Sequence, residues 1–194
     1  MFLVHPRENR NAIGTARLAH LGLANSVLIE GNGFRFDQDP KIREFVSLTE
    51  FYPVVLYPGA GSLNLSAINT GECREAFPKN KKLVVFVIDG TWSLAKKMIQ
   101  RSEILKALPQ ISFTPEKPSN YRIRVEPAFH CVSTIEAVHQ ILGKLEGHHL
   151  RHDQMLRVFN LMVEVQIAYE LKSESPKTRL KNLEKLEAER YQGV

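Results

Sequence analysis

The amino-acid sequence predicts an α/β protein, with a mostly parallel β-sheet and helices on both faces. Three observations predict it. The run Leu83-Val84-Val85-Phe86-Val87-Ile88 is apolar throughout and rich in β-branched residues, with charge on both sides. That is the pattern of a strand buried on both faces. Apolar runs then alternate along the chain with helical patterns, in the order strand, helix, strand, helix. Finally, the central run stops at Asp89-Gly90-Thr91-Trp92, and a helical pattern follows from Ser93. This puts the tetrapeptide at the carboxyl end of a central strand, where ligands bind in open α/β sheets.

The other elements follow in order. Phe2-Leu3-Val4 is a short strand that runs into the polar turn His5-Pro6-Arg7-Glu8-Asn9-Arg10-Asn11. Thr15 to Leu21 reads as a brief helix with Thr15 as its N-cap. Ser26 to Glu30 is a strand that ends at Gly31-Asn32-Gly33. Asp39-Pro40 opens a helix, with an Asp cap and Pro in the first turn. Tyr52 to Leu56 is a buried strand that breaks into Tyr57-Pro58-Gly59-Ala60-Gly61-Ser62. Such a small-residue loop lets backbone approach a ligand. It is not a P-loop, because no Gly-Lys-Ser/Thr follows.

Residues 63–82 suggest a helix-like connection with a loop. The helix after Trp92 is expected to run to about Leu108 and stop at Pro109. Gln110 to Phe113 is a short strand, and the prolines at 115 and 118 keep the next stretch out of a helix. Tyr121-Arg122-Ile123-Arg124-Val125-Glu126-Pro127 alternates, which predicts an extended segment with both guanidinium groups on one face. Ser133-x-x-Glu136 is a capping box that opens another helix, with Ile135, Val138, Leu142 and Leu145 toward the core. Arg151 to Leu171 is a long helix with a broad apolar surface.

The whole chain bounds what these elements can do. Its 194 residues suit one domain with a proper core. No apolar run is long enough to span a bilayer, and the start of the chain is too short of apolar residues for a signal peptide. Cys73 and Cys131 alone build neither a zinc knuckle nor a disulfide framework, so a reducing, cytoplasmic setting is expected. The net charge of +5, from 26 basic and 21 acidic residues, permits a nucleic-acid partner through phosphate contacts without demanding one. His148, His149 and His152 suggest a metal site, but the Glu of a His-Glu-x-x-His motif is missing, and no metal is expected.

Each motif has a plain reading and a chemical one. Asp89 either caps a helix or presents a carboxylate at a ligand site. Trp92 either fills the core or stacks on a base. Arg122 and Arg124 either lie on a surface strand, with Arg124 paired to Glu126, or hold a carboxylate or phosphate. Ser133 and Glu136 have a full explanation as a cap, yet a helix N-terminus also offers donors to an anion.

Five stretches in a fixed order change the balance: His5-Pro6-Arg7-Glu8 with Thr15-Ala16-Arg17-Leu18; Tyr57-Pro58-Gly59; Asp89-Gly90-Thr91-Trp92; Tyr121-Arg122-Ile123-Arg124 with Glu126-Pro127; and Ser133-Thr134-Ile135-Glu136-Ala137. Together they resemble the DTW-domain family, over about residues 2 to 165. The resemblance implies a tRNA-uridine aminocarboxypropyltransferase. Such an enzyme moves the 3-amino-3-carboxypropyl group of S-adenosylmethionine to N3 of a uridine and releases 5′-methylthioadenosine. It implies a SPOUT-like fold with a trefoil knot; the catalytic domain is expected over 1–172, and the charge-rich composition after Ser173 predicts a charged tail or exposed helix over 173–194. Many members carry a cysteine-rich segment before the His-Pro-Arg-Glu stretch. This sequence begins at that stretch, so no metal site is expected to carry over, and the RNA grip is expected from elsewhere or at lower affinity.

The resemblance also implies roles. Asp89 is the candidate general base for the N3 proton, or else orients the amino group of the cofactor. Tyr57, Pro58, Gly59, Asp89, Gly90, Thr91, Trp92, Ser133, Thr134 and Glu136 are candidates to line the cofactor pocket. His5, Arg7, Arg17, Tyr121, Arg122 and Arg124 are candidates to hold tRNA or the cofactor carboxylate, with Arg10 beside them in the first turn. tRNA is the expected partner, with no membrane, and monomer and homodimer both stay open. Two rivals stand beside this reading: an RNA methyltransferase of the same fold, and a non-catalytic RNA-binding or ribosome-assembly protein.

Overall fold

The computed structural model describes residues 1–8, 14–123, 131–147 and 152–173. Among them, six strands form one sheet: β1 (Phe2–Val4), β2 (Leu28–Glu30), β3 (Phe51–Leu56), β4 (Leu63–Asn64), β5 (Lys82–Asp89) and β6 (Gln110–Ser112). Their order across it is β2-β1-β5-β3-β6-β4. Every pairing is parallel. All carboxyl ends therefore meet at one edge of the sheet. β5 is the longest strand and lies between β1 and β3, with Val4 opposite Asp89 and Leu56 opposite Val87.

Helices cover both faces, and the period of two along each strand decides which side chain meets which layer. Phe2, Val4 and Val87 face α1 (Thr15–Leu21), α6 (Thr134–Glu146) and α7 (Asp153–Ser173), where Ala16, Ile135 and Phe159 complete one core. Leu3, Val55 and Phe86 point the other way. They pack with Phe36 of α2 (Phe34–Gln38), Ile42 of α3 (Pro40–Ser47), Met98 of α4 (Trp92–Gln100) and Leu105 of α5 (Glu103–Ala107). A third cluster joins Val54 and Ile111 to Cys73, Phe77 and Ile141.

Several expectations change in detail. Thr15 does not cap α1. Gly14 holds the cap position, and Thr15 is the first helical residue. The helix after Trp92 does not reach Leu108. It ends at Gln100, and α5 restarts at Glu103 behind the Ser102 cap. The carboxylate of Asp37, on α2, forces this break by accepting from the backbone N–H groups of Glu103 at 2.9 Å and Ile104 at 3.2 Å. The stretch 63–82 holds β4 and two short 3₁₀ turns, Leu65–Ala67 and Thr70–Ala76. The alternation at Tyr121 to Ile123 does not give a strand. The backbone turns there, and Arg122 N–H donates to Asn120 O at 2.9 Å. α7 buries Met155, Phe159 and Val163 but leaves Val158, Val165 and Tyr169 exposed, so only part of its apolar surface is core.

Candidate active site

Asp89 is the last residue of β5. Its backbone carbonyl accepts from His5 N–H at 3.0 Å, which ties the exit of β1 to the exit of β5. The chain must turn at once into α4. Gly90 makes the room, because a Cβ there would stand 3.3 Å from the Cβ of Leu94 and 3.7 Å from that of His5. Thr91, not Asp89, caps α4, with its Oγ1 accepting from Leu94 N–H at 3.4 Å. The Asp89 side chain is thus released from the capping duty that a strand-end acid often carries.

A cavity of about 730 Å³ opens along this carboxyl edge. Its size falls in the range of small-molecule sites. Asp89, Gly90, Thr91 and Trp92 line it, with Tyr57 and Pro58 from the end of β3 and Ser133 and Thr134 from the start of α6. Asp89 is only 8% exposed. Its Oδ1 accepts a hydrogen bond from Thr134 Oγ1 at 2.6 Å. That distance is in the range of a charge-assisted O–H···O bond. Trp92 is 42% exposed, so it does not fill the core. Its ring lies 6.3 Å from that of Tyr57 at 49°, and the two aromatics form one rim of the cavity.

Other candidates are placed differently. Gly59 turns the chain beyond Pro58, with its N–H on Tyr57 O at 2.9 Å, and does not line the cavity. Glu136 is a brace. Its carboxylate accepts from Ser133 N–H at 2.8 Å, from Asn120 N–H at 2.7 Å and from Ser119 Oγ at 2.6 Å. It completes the capping box of α6 and pins the loop before Tyr121, and it too stays off the cavity wall. Tyr121 is buried against Phe159, with ring centres 5.6 Å apart, and lines the cavity. Arg122 is ion-paired with Glu164 of α7, so a ligand anion there has a competitor. Arg124 and Arg10 lie outside the described residues.

His5 follows β1, and its Nδ1 accepts from Arg7 N–H at 3.1 Å. Burial, then the charge of Arg7, lowers its pKa below the ordinary histidine value. Arg7 and Arg17 are exposed. His152 pairs with Glu146 at 3.0 Å, and His148 and His149 lie outside the described residues. Among the described residues no three His, Cys, Asp or Glu side chains gather to hold a metal, and no helix is long and apolar enough to cross a membrane.

Part of the cavity wall, from the ends of β4 and β6, carries no motif that marks it in the sequence. Asn64, Ser112, Phe113 and Thr114 line it, and Ser112 Oγ lies 2.9 Å from Ser62 Oγ. The signal that could have found it is positional: Ser112 also ends a parallel strand, and all such ends share one edge.

Residues 1–167 match the DTW domain. The chain belongs to the DTW-domain family. Among curated relatives, this DTW protein is 28% identical over 171 residues to tRNA-uridine aminocarboxypropyltransferase 2 of Drosophila melanogaster, covering 86% of this chain and 64% of the fly protein. It is 25% identical over 165 residues to the Mus musculus protein of the same name, covering 85% and 53%. It is 29% identical over 206 residues to tRNA-uridine aminocarboxypropyltransferase A of Arabidopsis thaliana, covering 93% and 75%. The DTW chain thus spans about half to two-thirds of the animal relatives' length. No solved structure matches it.

Proposed function

We propose that this DTW protein transfers the 3-amino-3-carboxypropyl group of S-adenosylmethionine to N3 of a uridine in tRNA. The observation that carries the reading is the placement of Asp89. It is a buried carboxylate on the wall of a cavity at the carboxyl end of the central strand, steadied by Thr134. The family membership and the names of its relatives favour this chemistry over others.

The cavity fits a donor of this kind in size and in wall chemistry. Tyr57 and Trp92 offer flat faces to a purine or a pyrimidine, and the turns at Pro58 and Gly90, just past β3 and β5, bring backbone to the cavity wall. When bound, the donor supplies an alkyl carbon activated by a sulfonium leaving group. Uridine N3 carries a proton at neutral pH and is a poor nucleophile until it loses it. Asp89 is placed to accept that proton at a carboxylate oxygen as the N3–carbon bond forms. Its second role is to orient, since a carboxylate also attracts the cationic donor.

The SPOUT-like topology with its trefoil knot belongs to the same reading. What supports it is the family membership, beside an all-parallel sheet covered by helices on both faces. A cytoplasmic setting also belongs to it, supported by two cysteines that are free and buried.

Incubation with bulk tRNA and carboxyl-labelled S-adenosylmethionine tests the proposal. Label in RNA together with released methylthioadenosine is the expected result. S-adenosylhomocysteine instead points to methyl transfer, and tRNA binding with no product points to a non-catalytic role.

A further inference from the structure

We propose that the exposed face of α4 is a phosphate track, on which Lys96 and Lys97 hold the RNA backbone beside the nucleotide to be modified. This rests on the reading of tRNA as substrate and assigns that substrate a path across the surface. Neither lysine belongs to the sequence motifs or to the cavity wall.

Four observations carry it. First, α4 begins at the cavity, where Trp92 and Ser93 line the wall. Lys96 and Lys97 stand four residues beyond Trp92 and Ser93 respectively, on the same sides of the helix. At a rise of about 1.5 Å per residue, four residues advance about 6 Å along the helix axis. A base stacked on Trp92 therefore has its own phosphate within reach of a lysine one turn further on. Second, both lysines are exposed, as are Trp92, Ser93 and Gln100, so the polar stripe is continuous. Third, α4 carries no acidic residue, and neither lysine has a carboxylate partner among the described residues.

The fourth observation is a contrast. Of the other surface lysines, Lys79 sits by Glu75 at 3.7 Å, Lys82 by Glu50 at 3.7 Å and Lys106 by Glu103 at 2.6 Å, whereas exposed Lys41 and Lys117 have no such partner among the described residues but stand singly, with no second lysine next to them. Lys106 sits on α5, directly after α4, so the change from unpaired to paired cations falls between neighbouring helices. Adjacent unpaired ammonium groups repel each other, and an anion laid between them relieves this. A nucleic-acid backbone supplies such anions at regular spacing, and releases counterions as it binds. A protein partner of acidic character would answer the charge but not the exposed aromatic at the head of the stripe. A nucleotide strand answers both, with a base stacked on Trp92 and phosphates beside the lysines.

The test is tRNA affinity as a function of salt, measured without turnover. The variant is Lys96→Gln/Lys97→Gln, and the control is Lys79→Gln/Lys82→Gln, which removes two charges from paired sites. The expected result is that the α4 variant lowers the slope of log affinity against log salt by about 1.4 for single-stranded contacts, or about 1.8 for duplex contacts. The control keeps the wild-type slope, and both proteins bind S-adenosylmethionine as wild type does. An unchanged slope in the α4 variant, an equal fall in the control, or no tRNA binding by the wild type overturns the proposal. The outcomes separate it from the transfer reaction. Methylthioadenosine release with an unchanged slope sinks the track alone. A reduced slope with no product sinks the transferase reading alone.

Discussion

The hydroxyl of Thr134 donates to Oδ1 of Asp89 across 2.6 Å, and so joins the last residue of β5 to the first residue of α6. The two residues are 45 positions apart in sequence. The contact sets the direction of the carboxylate before any ligand arrives. Preorganisation of this kind is where much of an enzyme's rate comes from.

Asp89→Asn keeps an acceptor for Thr134 and is expected to fold normally. Its turnover should fall by about 10²- to 10⁴-fold, the usual share of a general base. Thr134→Val removes the donor and keeps the shape. It should lower turnover by about 10- to 100-fold, since hydrogen bonds to charged groups contribute about 1.5–3 kcal/mol. Thr134→Ser should recover most of the loss. Methylthioadenosine release is the readout for all three. If the Val variant works as well as wild type, Thr134 does not position Asp89.

Trp92 is the sole tryptophan of the chain, so its fluorescence reports on the cavity rim without labelling. Titration with S-adenosylmethionine or uridine should quench or shift the emission. Trp92→Ala should weaken binding of the stacked partner by about 1–3 kcal/mol. The side chain is exposed, and thermal stability should hardly change. A large fall in melting temperature with unchanged binding would make Trp92 a packing residue.

Glu136→Ala tests the brace against a cofactor contact. The substitution strips the acceptor from Ser133, Asn120 and Ser119 together. Stability should drop by about 1–3 kcal/mol, as expected when one buried donor and two part-buried ones lose their partner. Denaturant melts measure this directly. Normal stability paired with lost S-adenosylmethionine binding would restore Glu136 to the ligand.

His5 should titrate below the ordinary value of 6.5, with burial as the first cause and Arg7 as the second. The sign follows from proton linkage. Between the lowered folded value and 6.5 the unfolded chain binds more protons, so stability rises with pH through that window and is lost as pH falls. Above it, neutral His5 keeps its Nδ1 as acceptor for Arg7 N–H and its proton on Nε2. An NMR titration of the His5 ring reads the midpoint, and a value at or above 6.5 would mean that burial and Arg7 do not govern this ring.

The parts legible in sequence are those fixed by short-range pattern. The apolar run that ends at Asp89, the Asp39 cap of α3 and the Ser133–Glu136 capping box all stand where the local residues place them. The parts that were not legible depend on distant partners. The break between α4 and α5 comes from Asp37, more than sixty residues earlier. The turn at Tyr121 to Ile123 wins over an alternating pattern because Glu136 and Glu164 take hold of Asn120 and Arg122. No short window of sequence contains both partners of such contacts.

By itself the sequence determined the layers, the parallel sheet and the strand end at which Asp89 stands, because hydrophobic period and capping are properties of neighbours along the chain. Tertiary structure alone decided what surrounds that carboxylate. It brought Thr134 to Asp89, turned Trp92 outward beside Tyr57, and took Glu136 away from the cavity into the support of a loop. The reason is that a side chain's role is set by which groups can satisfy its charge and hydrogen bonds in space, and folding chooses those groups from the whole chain.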